Sequence, residues 1–252
     1  MQMGAGVASV LSRRLGLSPE RVRSLIPVGG AAALAAAFNT PIAAVLFSLE
    51  EIVGDLHAAV LGSVVISSGT AWMVLHLLLG DQPLFHVSAY RLVQPGEFAA
   101  YAVLGVVGGV ASAAFTRLLL SLRRWFMALR PDTRWLQPVA GGLTVGIMGF
   151  FMPDVLGVGY PTVDRVLNGG LVLQVVIALA VLKLIATAVC YASGNAGGIF
   201  GPSLFIGAMI GAAVGHLAHA VAPMHTAGAG AYALVGMGAV FVPLTLTAVA
   251  HV

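Results

Sequence analysis

The chain has 252 residues, of which 59% are hydrophobic and 8% charged, with 12 Lys+Arg against 9 Asp+Glu. A soluble domain carries about 25% charge, so this composition cannot cover a water-soluble surface; with a mean hydropathy of +1.00 it indicates an integral membrane protein. It excludes a soluble enzyme, a disordered chain and a nucleic-acid binder, and a single cysteine, Cys190, excludes a disulfide scaffold. The net charge of +3 is read as membrane orientation, because the basic residues sit in short connecting segments. The 32 glycines fit close helix packing in a bilayer.

The opening MQMGAGVASVLSRRLGL has no basic region ahead of its apolar part, so it is not a signal peptide. It starts like the interior of a helix, and TLTAVAHV at the other end stops in mid-run. Both ends read as cuts through a longer protein. Val28–Phe38 and Pro41–Leu49 are apolar pieces, each too short to span about 30 Å of hydrocarbon. Asn39-Thr40-Pro41 divides them, because proline forbids a continuous helix and drives the residue before it out of the α region. Broken helices in a membrane point to a binding site near the midplane. Glu50 and Glu51 close this segment, with Asp55 following. They mark either an exit into water or a proton-accepting carboxylate in apolar surroundings.

Membrane-length runs follow at Leu56–Gly80, Phe98–Leu122, Leu171–Tyr191 and Leu204–Val221; Leu136–Met152 is slightly short, and Gly228–Val252 is interrupted by Pro243. Arg13, Arg14, Arg21 and Arg23 form one basic cluster, and the segment Arg123–Trp135, with four arginines, forms another. Both are expected on the cytoplasmic side. Lys183 lies within an apolar run and needs a partner: Glu50, Glu51 or backbone carbonyls. His57, His76, His86, His216 and His219 have no metal-ligand spacing, and His216 and His219 read as interfacial. No P-loop, G-x-S-x-G or Rossmann context occurs, so neither ATP-driven transport nor hydrolase chemistry is supported, and no cofactor is expected. A weak repeat runs through the chain: Gly4 and Gly207 open similar helices 203 positions apart, and Pro41 and Pro243 are 202 apart. Two homologous, inverted halves would produce it.

The richest segment is Ser193–Gly207, SGNAGGIFGPSLFIG, between two membrane-length helices. Its glycines allow a tight turn without Cβ atoms, and Pro202 suits the first turn of a helix. The N–H groups of Ile199 and Phe200 and the positive end of that helix would then form an anion site without a buried cation.

GGIFGP at 197–202 resembles the G-x-F-x-P filter motif of the CLC chloride channels and proton/chloride antiporters. MQMGAG, GGAAALAAAFNTPIAAVLFSLEEI at 29–52, VGYPTVDRVLNG and GMGAVF resemble further stretches of the same family, in order along the whole chain. The resemblance implies an all-α polytopic membrane protein with inverted repeats and broken, re-entrant helices. It forms a single domain over 1–252, with 1–122 holding the end of the first half and 136–252 the start and middle of the second. It implies chloride and protons as the transported species, a homodimer in the lipid bilayer, and a multi-pass protein of the bacterial inner membrane. Carried over by position, the Ile199 and Phe200 amides bind the anion, while Gly198, Gly201 and Pro202 shape the loop. Glu51 matches the antiporters' proton-transfer glutamate, and Glu50 is structural. The family's gating glutamate in G-x-E-G-P would precede Met1. The serine of G-S-G-I-P and the C-terminal pore tyrosine are also absent, and residues are missing near Val242. The reading is a proton/chloride antiporter, with a passive voltage-gated chloride channel and an inactive truncated fragment as the alternatives.

Overall fold

The computed structural model describes residues 1–54, 59–81, 83–87, 90, 94–129, 131–195, 197–223 and 226–249. Asp55, His57 and Arg130, named above, lie outside them. The described residues form helices and connecting turns, in two compact units, Met1–Leu84 and Phe85–Val252.

The first unit contains α1 (Gln2–Arg14), α2 (Pro19–Phe38), α3 (Pro41–Phe47), a π-helical turn over Ser48–Val53, and α4 (Leu61–Leu79). The basic residues Arg13, Arg14, Arg21 and Arg23 flank the short turn between α1 and α2. α1 and α2 approach through Gly4 and Gly29, and a Cβ on either glycine would meet the other's carbonyl oxygen. Close backbone approach of this kind replaces the hydrophobic driving force that lipid removes.

The break at Asn39-Thr40-Pro41 is present. Asn39 is left-handed at φ 55°, Thr40 is extended, and Pro41 opens α3. α4 braces the segments on both sides of this break with side-chain hydrogen bonds. Ser68 Oγ donates to the Pro41 carbonyl at 2.8 Å, Ser67 Oγ to Val28 O at 3.1 Å, and Trp72 Nε1 to Asn39 Oδ1 at 2.8 Å. One expectation fails here. The piece before the break is a single 20-residue helix running through Pro27 back to Pro19, long and apolar enough to cross a membrane. A proline inside a helix removes one hydrogen bond, which a membrane helix tolerates.

The second unit contains α5 (Glu97–Ala128), a 3-10 segment (Pro131–Leu136), α6 (Gln137–Phe151), α7 (Tyr160–Leu167), α8 (Leu173–Ala192), α9 (Phe200–Val221) and α10 (Ala229–Val249). Part of the basic segment Arg123–Trp135 is helical, since α5 continues to Ala128. At 1.5 Å per residue its 32 residues reach about 48 Å, longer than the roughly 30 Å of a hydrocarbon core, and Arg123 and Arg124 lie on its last two turns. Arg123 lies 5.6 Å from the centre of the Tyr191 ring, a cation–π contact. α10 likewise continues through Pro243 instead of ending there.

α9 and α10 are the most intimate pair in the unit. Gly207, Gly211 and Gly215 form one face of α9, and a Cβ at Gly207 or Gly211 would strike a carbonyl oxygen of α10. Gly207 and Gly236 make the same reciprocal contact as Gly4 and Gly29, whereas the other pair of the sequence repeat differs, since Pro41 opens α3 and Pro243 lies inside α10. Around this pair the core gathers Leu179, Phe205, Met209 and Met237. Glu97, which the sequence reading passed over, is buried and accepts a hydrogen bond from the Ala227 N–H at 2.7 Å and one from the Tyr101 hydroxyl at 3.3 Å. It ties the start of α5 to the segment leading into α10.

Five helices, α2, α4, α5, α8 and α9, are long and apolar enough to cross a membrane. Their outward faces carry large apolar side chains such as Ile66, Leu77, Val106 and Val181, as lipid contact requires.

Candidate functional site

Every predicted residue of the filter segment lies at one place, the junction of α8 and α9. α8 ends at Ala192, and Gly194 at φ 85° turns the chain. The turn closes on its own helix: Gly194 N–H donates to Tyr191 O at 3.2 Å, Asn195 N–H to Cys190 O at 3.2 Å, and Ser193 Oγ to Cys190 O at 3.0 Å. These bonds occupy carbonyls that the helix end leaves open.

Asn195 adds a cross-link that carries no signal in the sequence. Its Nδ2 donates to Ser193 Oγ at 3.0 Å and to Pro138 O on α6 at 3.1 Å. α6 comes close enough for this because Gly141 faces Ser193, with room for no Cβ.

Gly197 and Gly198 are exposed, and Ile199 to Pro202 are half-buried. α9 begins at Phe200 with Ile199 as its N-cap, earlier than Leu204, where the apolar run begins. Phe200, Gly201 and Pro202 therefore form its first turn. The first N–H groups of a helix have no intrahelical acceptor, and the dipole of a 22-residue helix places partial positive charge there. Pro202 contributes no N–H and a fixed φ. Ser203 N–H donates back to Ile199 O at 2.9 Å, and Ser203 Oγ to Phe200 O at 2.7 Å. The Phe200 ring stacks at 5.5 Å on Phe241 of α10, within the GMGAVF stretch. Ile199 packs against Phe115, Leu119 and Leu244. The turn is thus fixed on its α6, α5 and α10 sides, while Gly197 and Gly198 face open space and Gly201 lies against Val158.

Glu50 and Glu51 belong to the first unit, in the π-helical turn that ends at Gly54, φ 76°. π-turns recur at functional sites because they re-aim side chains. Glu50 is exposed and Glu51 partly buried. Burial pushes the Glu51 carboxyl above its ordinary value, and the neighbouring Glu50 charge pushes it further.

Lys183 is buried in α8, and its partners are backbone carbonyls: Nζ donates to Val155 O at 2.7 Å and to Gly157 O at 2.6 Å. His216 bonds Leu171 O at 3.0 Å and His219 meets Thr226 Oγ1 at 3.3 Å, so the two histidines serve separate contacts. Among the described residues no cluster of His, Cys, Asp or Glu could hold a metal ion.

A polytopic helical bundle with broken helices and a glycine-rich helix start between two spans is the architecture of a membrane transporter or channel. Its sequence matches the family described as voltage gated chloride channel over residues 1–252, and the chain belongs to that family. It is 34% identical to the chloride channel protein CLC-e of Arabidopsis thaliana, over 97% of this chain and 39% of that protein. It is 30% identical to the H(+)/Cl(-) exchange transporter ClcA of Vibrio campbellii, over 96% of this chain and 53% of that protein. The fold superimposes on the crystal structure of a slow cyanobacterial Cl-/H+ antiporter with a TM-score of 0.85 at 25% identity, covering 97% of this chain and 60% of that one. The chain thus spans about half the length of the curated relatives it matches.

Proposed function

We propose that the protein moves chloride across a bilayer, exchanging it for protons. The anion would bind at the start of α9 through the Ile199 and Phe200 amides, with Gly198, Gly201 and Pro202 shaping the loop and Gly198 leaving its approach open. The observation that carries this reading is the location of GGIFGP: it lies at the N-terminus of a membrane-length helix, held on several sides. Backbone dipoles suit a transport site because they attract an anion without the deep trap that a buried lysine or arginine would set.

Glu51 would carry the proton. Burial raises the pKa of an acid and favours the form that holds a proton; Glu51 is partly buried and its carboxyl is pushed above the ordinary value. A relative named as an H(+)/Cl(-) exchange transporter supports antiport. A relative named as a chloride channel supports the second reading, a passive channel. A homodimer in a bacterial plasma membrane completes the proposal.

Liposomes loaded with chloride and a pH dye separate these readings. An antiporter drives protons uphill when a chloride gradient is imposed. Glu51→Gln is expected to abolish proton movement while chloride flux persists; proton flux that survives this substitution rules out the role of Glu51. Chloride flux without proton movement in the unmodified protein favours the channel, and absence of both favours an inactive fragment.

A further inference from the structure

Lys183 has no part in the site as described, yet it is among the largest fully buried side chains of the molecule. An ammonium in the middle of a membrane helix is costly unless something specific is gained. Among the described residues no carboxylate pairs with it. Two of its three donors go to Val155 O and Gly157 O, and Nζ lies 4.9 Å from the centre of the Phe205 ring. The charge is therefore used on backbone and on an aromatic face.

The segment it grips is the connection between α6 and α7. After a single 3-10 turn at Pro153–Val155 it has no regular hydrogen bonding, and left-handed glycines stand on either side of Val158, at Gly157 (φ 63°) and Gly159 (φ 83°). Such a stretch has little rigidity of its own. Its other side rests on the start of α9. Val158 fills the space above Gly201, where a Cβ would come within 2.5 Å of its Cγ1. Gly159 lies against the Phe205 ring, where a Cβ would come within 2.5 Å of Cδ2. Gly201 and Phe205 are four residues apart, on one face of the opening turns of α9.

We infer that Lys183 is a positioning residue for the anion loop: it ties the Val155–Gly159 segment to α8 and so holds Val158 as a wedge against Gly201. This rests on the reading of 199–202 as the anion site. Lys183 is not assigned as a ligand, since two of its donors go to carbonyls and its ammonium faces the Phe205 ring. Arginine keeps the charge and has several N–H donors that can meet the same two carbonyls, whereas methionine, similar in length and apolar, has none.

The test is calorimetric titration of the purified protein with chloride, alongside hydrogen exchange. Lys183→Met is expected to weaken chloride binding roughly tenfold, the scale of losing a charged hydrogen bond that holds the site, with the number of sites unchanged. Lys183→Arg should recover most of the affinity. Val158→Ala, at a half-exposed position, should weaken binding in the same direction but by less. A residue needed only for folding would instead lower the number of competent sites at constant affinity, and that result, or an unchanged affinity in Lys183→Met, overturns the assignment. If Lys183→Met does not fold, Val158→Ala decides, and unchanged affinity there overturns it. If the unmodified protein binds no chloride, the anion reading of the loop fails. The brace is then judged by exchange of the Ile199–Ser203 amides, which must rise in Lys183→Met or Val158→Ala relative to those of Gly207–Gly215; no rise overturns it.

Discussion

Adjacent glutamates in the π-helical turn occupy different environments, as neighbouring helical positions face different ways. Glu51 is drawn in and Glu50 left out, and burial followed by the Glu50 charge raises the Glu51 pKa. The sign gives a prediction. A raised pKa keeps Glu51 protonated to higher pH than a free glutamate, so proton-coupled flux should decline as pH rises through that value. Glu50→Gln removes the smaller, electrostatic part of the shift. The midpoint of the decline should move to lower pH, with chloride flux at low pH unaffected, as flux assays in buffered liposomes would show. The adjacent acids were legible in the sequence, but the π-turn that carries them was not. It is a backbone register change with no residue signature, stabilised by the Gly54 N–H bonding back to Leu49 O.

At the scale of helices, most spans could be read from apolar length alone, because the bilayer fixes how long a spanning helix must be. Errors fell where a proline or an arginine was taken as an end. α2 continues through Pro27, α10 through Pro243, and α5 past Arg123 and Arg124. Hydrocarbon makes an open backbone costlier than a charged or kinked helix, so the helical state persists beyond its usual stop signals. The turn and helix start at 194–202 were legible because glycine and proline carry positional meaning. Their supports were not: Asn195, Phe241 and Lys183 act through contacts distant in sequence. Helix pairing gives a further prediction. Gly236→Ala would put a methyl group onto the Gly207 carbonyl and should destabilise the protein by about 1–3 kcal/mol. Gly238→Ala, on the same helix with nothing within 4 Å of the new atom, should be neutral or slightly stabilising, since alanine is the better helix former. Thermal unfolding in one detergent would compare the two.

For the molecule as a whole, charge scarcity and family membership agree on a membrane protein, and its few arginines gain weight as topology markers. The turn carrying Arg13, Arg14, Arg21 and Arg23 and the end of α5 carrying Arg123 and Arg124 should both face the cytoplasm. Single cysteines at Ser18 and Met127, in a background with Cys190→Ala, should be blocked by a membrane-permeant thiol reagent and spared by an impermeant one applied outside intact cells. Labelling of either from outside would show that this orientation is wrong. Each unit also carries one reciprocal glycine contact, Gly4 with Gly29 and Gly207 with Gly236. In each, the obstacle to a larger residue is the facing carbonyl oxygen, which every amino acid possesses. Loss of these glycines should therefore have no suppressor on the opposing helix: a crowded side chain can be relieved by trimming its neighbour, but a main-chain atom cannot be mutated away.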